Sequence, residues 1–151
     1  WVYHDNLVED GDHQLIGFSH MFILNGESCS DFSGLLMPLV YEACDNAKLN
    51  ISKVLRARCF LQTPGVREHE YDQMHVDIPD FHNVCLYYVN DSDGDTYFSE
   101  KMYGDPVGEY GINTTVSPKK GRCVFFDGLR FHASSKPTQN SRFVINYNFI
   151  P

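Results

Sequence analysis

The chain has 151 residues, 42% hydrophobic and 14% aromatic, a composition that folds around a core rather than staying disordered. Its formal net charge of −8 and pI near 5.2 argue against a broad phosphate-binding surface, so nucleic acid is a poor partner. No apolar run approaches the roughly 18 residues of a membrane span, and no secretory leader is visible. The five cysteines (Cys29, Cys44, Cys59, Cys85 and Cys123) are odd in number and form no Cys-x-x-Cys pair. A reduced, intracellular (cytoplasmic) chain without a membrane partner is expected.

Residues 13–24 mix β-branched, aromatic and polar side chains and predict a strand, ended by a turn at Asn25-Gly26. Residues 28–47 predict the one convincing helix, capped by Ser30 or Asp31. Phe32, Leu35, Leu36, Leu39, Val40 and Ala43 form its apolar stripe, and Gly34 and Pro38 weaken or kink it. Residues 51–62 alternate as a strand, with Val54, Arg56, Arg58 and Phe60 on one face and Leu55, Ala57, Cys59 and Leu61 on the other.

A polar loop over 63–72 leads to Gln73-Met74-His75-Val76-Asp77, read as strand. A short loop at Pro79-Asp80 precedes a strongly β-prone run over 83–89. Further strands are predicted at 95–98, 110–116, 122–126 and 142–149. Turns at 90–94 and 117–121, a mobile loop at 99–108 and another loop at 134–141 separate them. About eight short strands after one helix predict a mainly β barrel or sandwich with a helical buttress.

Side chains two residues apart on a strand share a face, with Cα atoms roughly 6.5–7 Å apart. His75 and Asp77 can therefore aim an imidazole and a carboxylate at one point. A histidine from another strand completes two histidines and one carboxylate on one face of an octahedron, the donor set of non-haem Fe(II) oxygenases. His132, 57 positions beyond His75, is the candidate third ligand. Ten residues later, Arg142 opens the closing strand. A guanidinium buried there requires an anion, and its planar fork suits a carboxylate. The far carboxylate of 2-oxoglutarate, a chelating cosubstrate for such a metal, meets that requirement. His4, His13, His20, His69 and His82 lack ligand spacing and read as surface or structural residues, although His69 lies in the loop before the metal pair. Arg67, Glu68 and Arg130 are placed to meet substrate, with ordinary surface charge as the simpler reading.

Together these residues resemble the Fe(II)/2-oxoglutarate-dependent dioxygenases, most closely the prolyl 4-hydroxylase-like branch, over about two-thirds of the chain. His75-Val76-Asp77 is similar to the family's His-x-Asp, and Val84 to Asn90 to its next strand. Gly94-Asp95-Thr96-Tyr97-Phe98 resembles its Gly-Gly-x-x-x-Phe stretch, and Pro118 to Phe126 its approach to the distal histidine. His132 and Arg142 match the distal histidine and the cosubstrate-binding basic residue, although the collagen-type members use lysine there.

The resemblance implies a double-stranded β-helix, or jelly-roll, and a single domain over 1–151 with its core at about 51–149 and an N-terminal strand and helix over 13–47. It implies Fe(II), 2-oxoglutarate and O2, with ascorbate a candidate reductant, and hydroxylation with release of succinate and CO2. It places Tyr88 beside Arg142 on the cosubstrate. Phe60 stands where many relatives carry a tyrosine, and Tyr71 is a candidate pocket residue. Asp77 stands where related halogenases carry a small residue, which favours hydroxylation. A prolyl residue in a peptide or protein is the implied substrate. A free amino acid or small metabolite remains open, as does a non-catalytic cupin-like binding module.

Overall fold

The computed structural model describes residues 1–5, 7, 15–106 and 108–151. Among them are one helix and ten strands. These are β1 (Val2–His4), β2 (Gly17–Leu24), β3 (Glu27–Ser28), α1 (Ser33–Ala47), β4 (Lys53–Gln62), β5 (Asn83–Tyr88), β6 (Thr96–Met102), β7 (Ile112–Val116), β8 (Cys123–Asp127), β9 (Arg130–Ser134) and β10 (Arg142–Ile150). The larger sheet runs β1-β2-β4-β10-β5-β8, with β3 paired to β2, and the smaller runs β7-β6-β9. All these pairings are antiparallel. Among the described residues no helix is long and apolar enough to cross a membrane.

Strand β10 lies inside the larger sheet and explains the layering, because its side chains alternate between two compartments. Ile145, Tyr147 and Phe149 face α1, where they pack with Phe22, Val40, Cys44 and Cys59. Val144 faces the smaller sheet and packs with Leu86, Tyr88 and Val116. The Tyr147 hydroxyl donates to the Leu36 carbonyl at 2.7 Å and so fastens the helix to the sheet. Cys44, Cys59 and Cys85 act here as small hydrophobes. Burial pushes the Cys59 thiol up to about 11, which keeps it protonated and unreactive.

The helix begins later than its composition predicts. Its N-cap is Phe32, which has no side-chain cap; Ser30 accepts the Phe32 N–H through its hydroxyl instead, and Asp31 does not cap. The stripe is rotated too. Leu36, Leu39, Val40 and Ala43 face the sheet as expected, joined by Met37 and Cys44, while Phe32 and Leu35 are exposed. On β4, Val54 leaves the arginine face and joins the helix-side core, because a bulge at Leu55 sets Val54 opposite Phe149 and Arg56 opposite Asn148.

The segment holding His75 is not a regular strand. It pairs only at His75, as an isolated bridge to His132. The loop predicted at 99–108 starts instead as strand, since β6 runs through to Met102 past irregularities in its pairing with both neighbours. Strands β1 and β3 were not anticipated, and the first two residues of the strand expected over 13–24 lie outside the described residues.

Phe22 has no exposed surface and meets Tyr147 edge-on with ring centroids 5.7 Å apart. Phe22→Ala should cost about 3–5 kcal/mol, read as a lower urea midpoint at unchanged slope.

Candidate metal centre

His75 and His132 are bound face to face by their backbones, each N–H donating to the other's carbonyl at 3.0 Å. Such a hydrogen-bonded pair sets the two Cα atoms about 5.5 Å apart. The imidazole centroids are 4.7 Å apart. His75 Nδ1 lies 3.1 Å from the Gln73 carbonyl and His132 Nδ1 lies 3.0 Å from the Arg130 carbonyl. A carbonyl only accepts, so each Nδ1 carries the proton and each Nε2 keeps its lone pair for a metal. Phe126 packs edge-on against His132 at 4.9 Å.

The third candidate ligand, Asp77, has a side chain only 1% exposed. Its Oδ1 meets Arg56 Nη2 at 3.0 Å and Arg58 Nη2 at 3.1 Å. Its Oδ2 accepts the side-chain amides of Asn146 at 2.9 Å and Asn148 at 3.0 Å. Burial alone raises the carboxyl pKa, but the neighbouring fields of His132, Arg58, His75 and Arg56 overcome this and hold it well below the usual range. Asp77 is therefore a fixed anion.

His132 Nε2 lies 3.9 Å from Asp77 Oδ2, and the ligand atoms of His75, Asp77 and His132 all fall within 4.8 Å of one another. Two neutral imidazole nitrogens and one carboxylate at this spacing fit a divalent transition metal, with the side chains drawn slightly inward. A carboxylate offers about four lone-pair directions. All four are answered by protein donors, so a metal at Oδ2 shares or displaces an asparagine bond.

The triad lines a cavity of about 540 Å³ that also reaches Arg142, Thr96, Gln62 and Phe60. Arg142 is 4% exposed and is held by neutral groups. Its Nε donates to the Gly94 carbonyl at 2.9 Å, Nη1 to Gln62 Oε1 at 3.3 Å and Nη2 to Thr96 Oγ1 at 2.8 Å. Gly94 permits this approach, since a Cβ there would sit 2.8 Å from the Ser135 carbonyl and 3.0 Å from Arg142 Cδ. Gln62 in turn donates to Ser134, and Ser134 to Asp72, so the nearest countercharge lies at the end of a relay.

Tyr88 is fully buried and donates to Thr96 Oγ1 at 2.7 Å. Both Thr96 lone pairs are thereby taken, which leaves its O–H to donate. Tyr88 sits behind Thr96, with its ring 5.8 Å from Arg142. Phe60 lines the cavity, whereas Tyr71 packs against Tyr97 in a separate cluster with Met74 and Phe131. Arg67 ties two loops together through the Lys136 and Asp93 carbonyls, and Glu68 and His69 are exposed. His82 is fully buried, and a Cβ on Gly128 would come within 2.1 Å of its Nε2.

Sequence reasoning placed Arg56 and Arg58 on one face but gave them no role, and it missed Gln62, Asn146 and Asn148. The available signal was the alternation itself. Polar residues at every second position of strands whose other face is apolar mark a polar interior.

No family model and no curated protein matches the sequence. Solved structures do. An oxidoreductase of the 2OG-Fe(II) oxygenase family from Burkholderia pseudomallei superposes with a TM-score of 0.60 at 15% identity, over 89% of this chain and 68% of that one. A Pseudomonas putida prolyl-4-hydroxylase gives 0.52 at 16% identity, over 91% and 70%. A non-heme monooxygenase solved as a nickel complex gives 0.50 at 16% identity, over 64% and 43%. The chain thus has the double-stranded β-helix fold of the 2OG-Fe(II) oxygenases.

Burial pushes the His132 pKa down from 6.5 to about 4, with the His75 field adding to the fall and Asp77 opposing it. The unfolded chain therefore takes up the proton first, and stability of the metal-free protein falls as pH drops from 6.5 to 4. The loss is on the order of a few kcal/mol. Urea unfolding across this window should show it, and His132→Gln should flatten the slope.

Proposed function

We propose that this chain is an Fe(II)- and 2-oxoglutarate-dependent dioxygenase that hydroxylates a C–H bond. His75, Asp77 and His132 hold the metal, and Arg142, with Tyr88 beside it, receives the far carboxylate of 2-oxoglutarate. The observation that carries this reading is a single cavity with the triad on one wall and a buried cation on another. A guanidinium so enclosed is costly without an anion, and its nearest countercharge is indirect. Thr96 adds a hydroxyl donor to the same end.

When bound, Fe(II) and 2-oxoglutarate supply O2 activation coupled to release of succinate and CO2, with ascorbate a candidate reductant. The chain's own residues do the remaining work. The Gln73 and Arg130 carbonyls fix the imidazole tautomers, and the Arg56/Arg58/Asn146/Asn148 web keeps Asp77 ionised and immobile. Leu86, Phe126 and Val144 give the cavity its apolar walls. A carboxylate at Asp77, rather than a small residue, favours hydroxylation. A prolyl residue in a peptide or protein is the favoured target, supported by the fold shared with the Pseudomonas prolyl-4-hydroxylase.

The test is an anaerobic titration with Fe(II) and 2-oxoglutarate that follows the visible charge-transfer band of the chelate. Wild type should develop the band and His75→Ala should lose it. Arg142→Gln should need about 10- to 100-fold more 2-oxoglutarate, the cost of a charge-assisted bond. Folded wild-type protein that develops no band overturns the assignment.

A further inference from the structure

We infer that the substrate presents an N–H donor to Asn146 beside the metal, as the backbone amide of a peptide does. The inference rests on the oxygenase reading and names the class of substrate that site takes. Asn146 and Asn148 are alternate residues of β10, and each donates its side-chain amide to Asp77 Oδ2, at 2.9 and 3.0 Å. An ionised carboxylate only accepts, so both carboxamides are oriented: Nδ2 serves Asp77, and Oδ1 is left for another donor. There the two part. Asn148 is complete, since its Oδ1 accepts Arg56 Nε at 3.1 Å. Asn146 Oδ1 is buried too, yet accepts no hydrogen bond. An enclosed acceptor without a donor is costly and calls for a partner. Asn146, and not Asn148, is among the described residues that line the cavity with the triad.

Chemistry narrows what answers this acceptor. Arg142 and Asn146 share a face of β10 four residues apart, roughly 13 Å along the strand, so they serve different parts of the cavity. 2-Oxoglutarate, bound as the dianion, offers only acceptors, and so does dioxygen. Leu86, opposite Asn146 on β5, and Val144, two residues before it, line the cavity with hydrocarbon and have no side-chain donor. The donor therefore comes with the substrate. A metal at Asp77 Oδ2 would draw on one of the two asparagine bonds. Asn146, held by that one side-chain hydrogen bond, has the freedom to turn its oxygen toward a cavity ligand. A site with a buried acceptor rejects an otherwise similar ligand that lacks the donor. A prolyl residue has no N–H of its own, so in a proline-containing peptide the donor is the amide of a flanking residue.

One end-capped alanyl-prolyl-glycyl peptide and two ester analogues test this. In one analogue an ester oxygen replaces the N–H before the proline (lactate for alanine). In the other it replaces the N–H after the proline (glycolate for glycine), so each loses a single donor at nearly constant shape. Each ligand is added without oxygen to protein loaded with Fe(II) and 2-oxoglutarate, and binding is read from the perturbation of the chelate band. The peptide should bind about tenfold or more tightly than one of the two esters, and the ester that suffers identifies which N–H is read. Asn146→Ala should remove that difference. Asn148→Ala, which takes a bond of the same kind from Asp77, should keep it. Should Asn146→Ala fail to fold, the wild-type comparison decides alone. Equal binding of all three ligands, or binding of none, overturns the inference, as does a difference that survives Asn146→Ala. Absence of the chelate band itself instead fails the oxygenase reading, and this inference with it.

Discussion

The ionised carboxylate of Asp77 is the constraint on which the rest of the structure depends. An isolated buried carboxylate costs far more than a domain's net stability, so it persists only with donors on every side. Those donors come from two adjacent strands: Arg56 and Arg58 from β4, Asn146 and Asn148 from β10. The register that pairs Arg56 with Asn148 and Arg58 with Asn146 is therefore the register that holds the anion. A slip of one residue by either strand would turn that strand's two donors away from it. The pairing of the larger sheet and the electrostatics of the cavity are one condition.

The smaller sheet supplies what the larger cannot. Strand β9 brings His132, and the single bridge to His75 converts an irregular segment into a rigid mount for the first histidine and, two residues on, for Asp77. Thr96 on β6 then joins the sheets at the other end of the cavity by accepting from both Tyr88 and Arg142. The larger sheet brings Arg56, Arg58, Gln62, Arg142 and Asn146 to the cavity and the smaller brings Thr96, His132 and Ser134, so the cavity forms where the two close on each other.

Much of this was legible in the sequence because the relevant signals are short-range or chemically rare. A histidine and an aspartate two apart, then a distant histidine and an arginine opening a β-prone run, pointed to the residues that the fold brings together. Strand existence was also readable, since the β-branched and aromatic runs are strong. Phase was not. The helix presents Met37 and Cys44 to the sheet while Phe32 and Leu35 stay exposed, a choice made by docking and not by hydrophobicity. Val54 changed faces because of a bulge at Leu55, and nothing in the local residues marks that bulge. The purpose of Arg56 and Arg58 stayed hidden for a different reason. Their alternation was plain, but that Asp77 would arrive opposite them is a fact of topology alone.

Strand β10 is also a shared partition, and that ties together parts of the molecule that never touch. Tyr147 anchors the helix through the Leu36 carbonyl, while Asn146 and Asn148 on either side of it grip the metal-side carboxylate. Adjacent residues of one strand cannot shift independently. How firmly α1 is seated thus becomes a determinant of how tightly the carboxylate is held, and by reciprocity a metal bound at Asp77 would steady the helix on the far side of the sheet. No α1 residue is among the described residues that line the cavity, yet the seating of the helix is coupled to the carboxylate that a metal there would use.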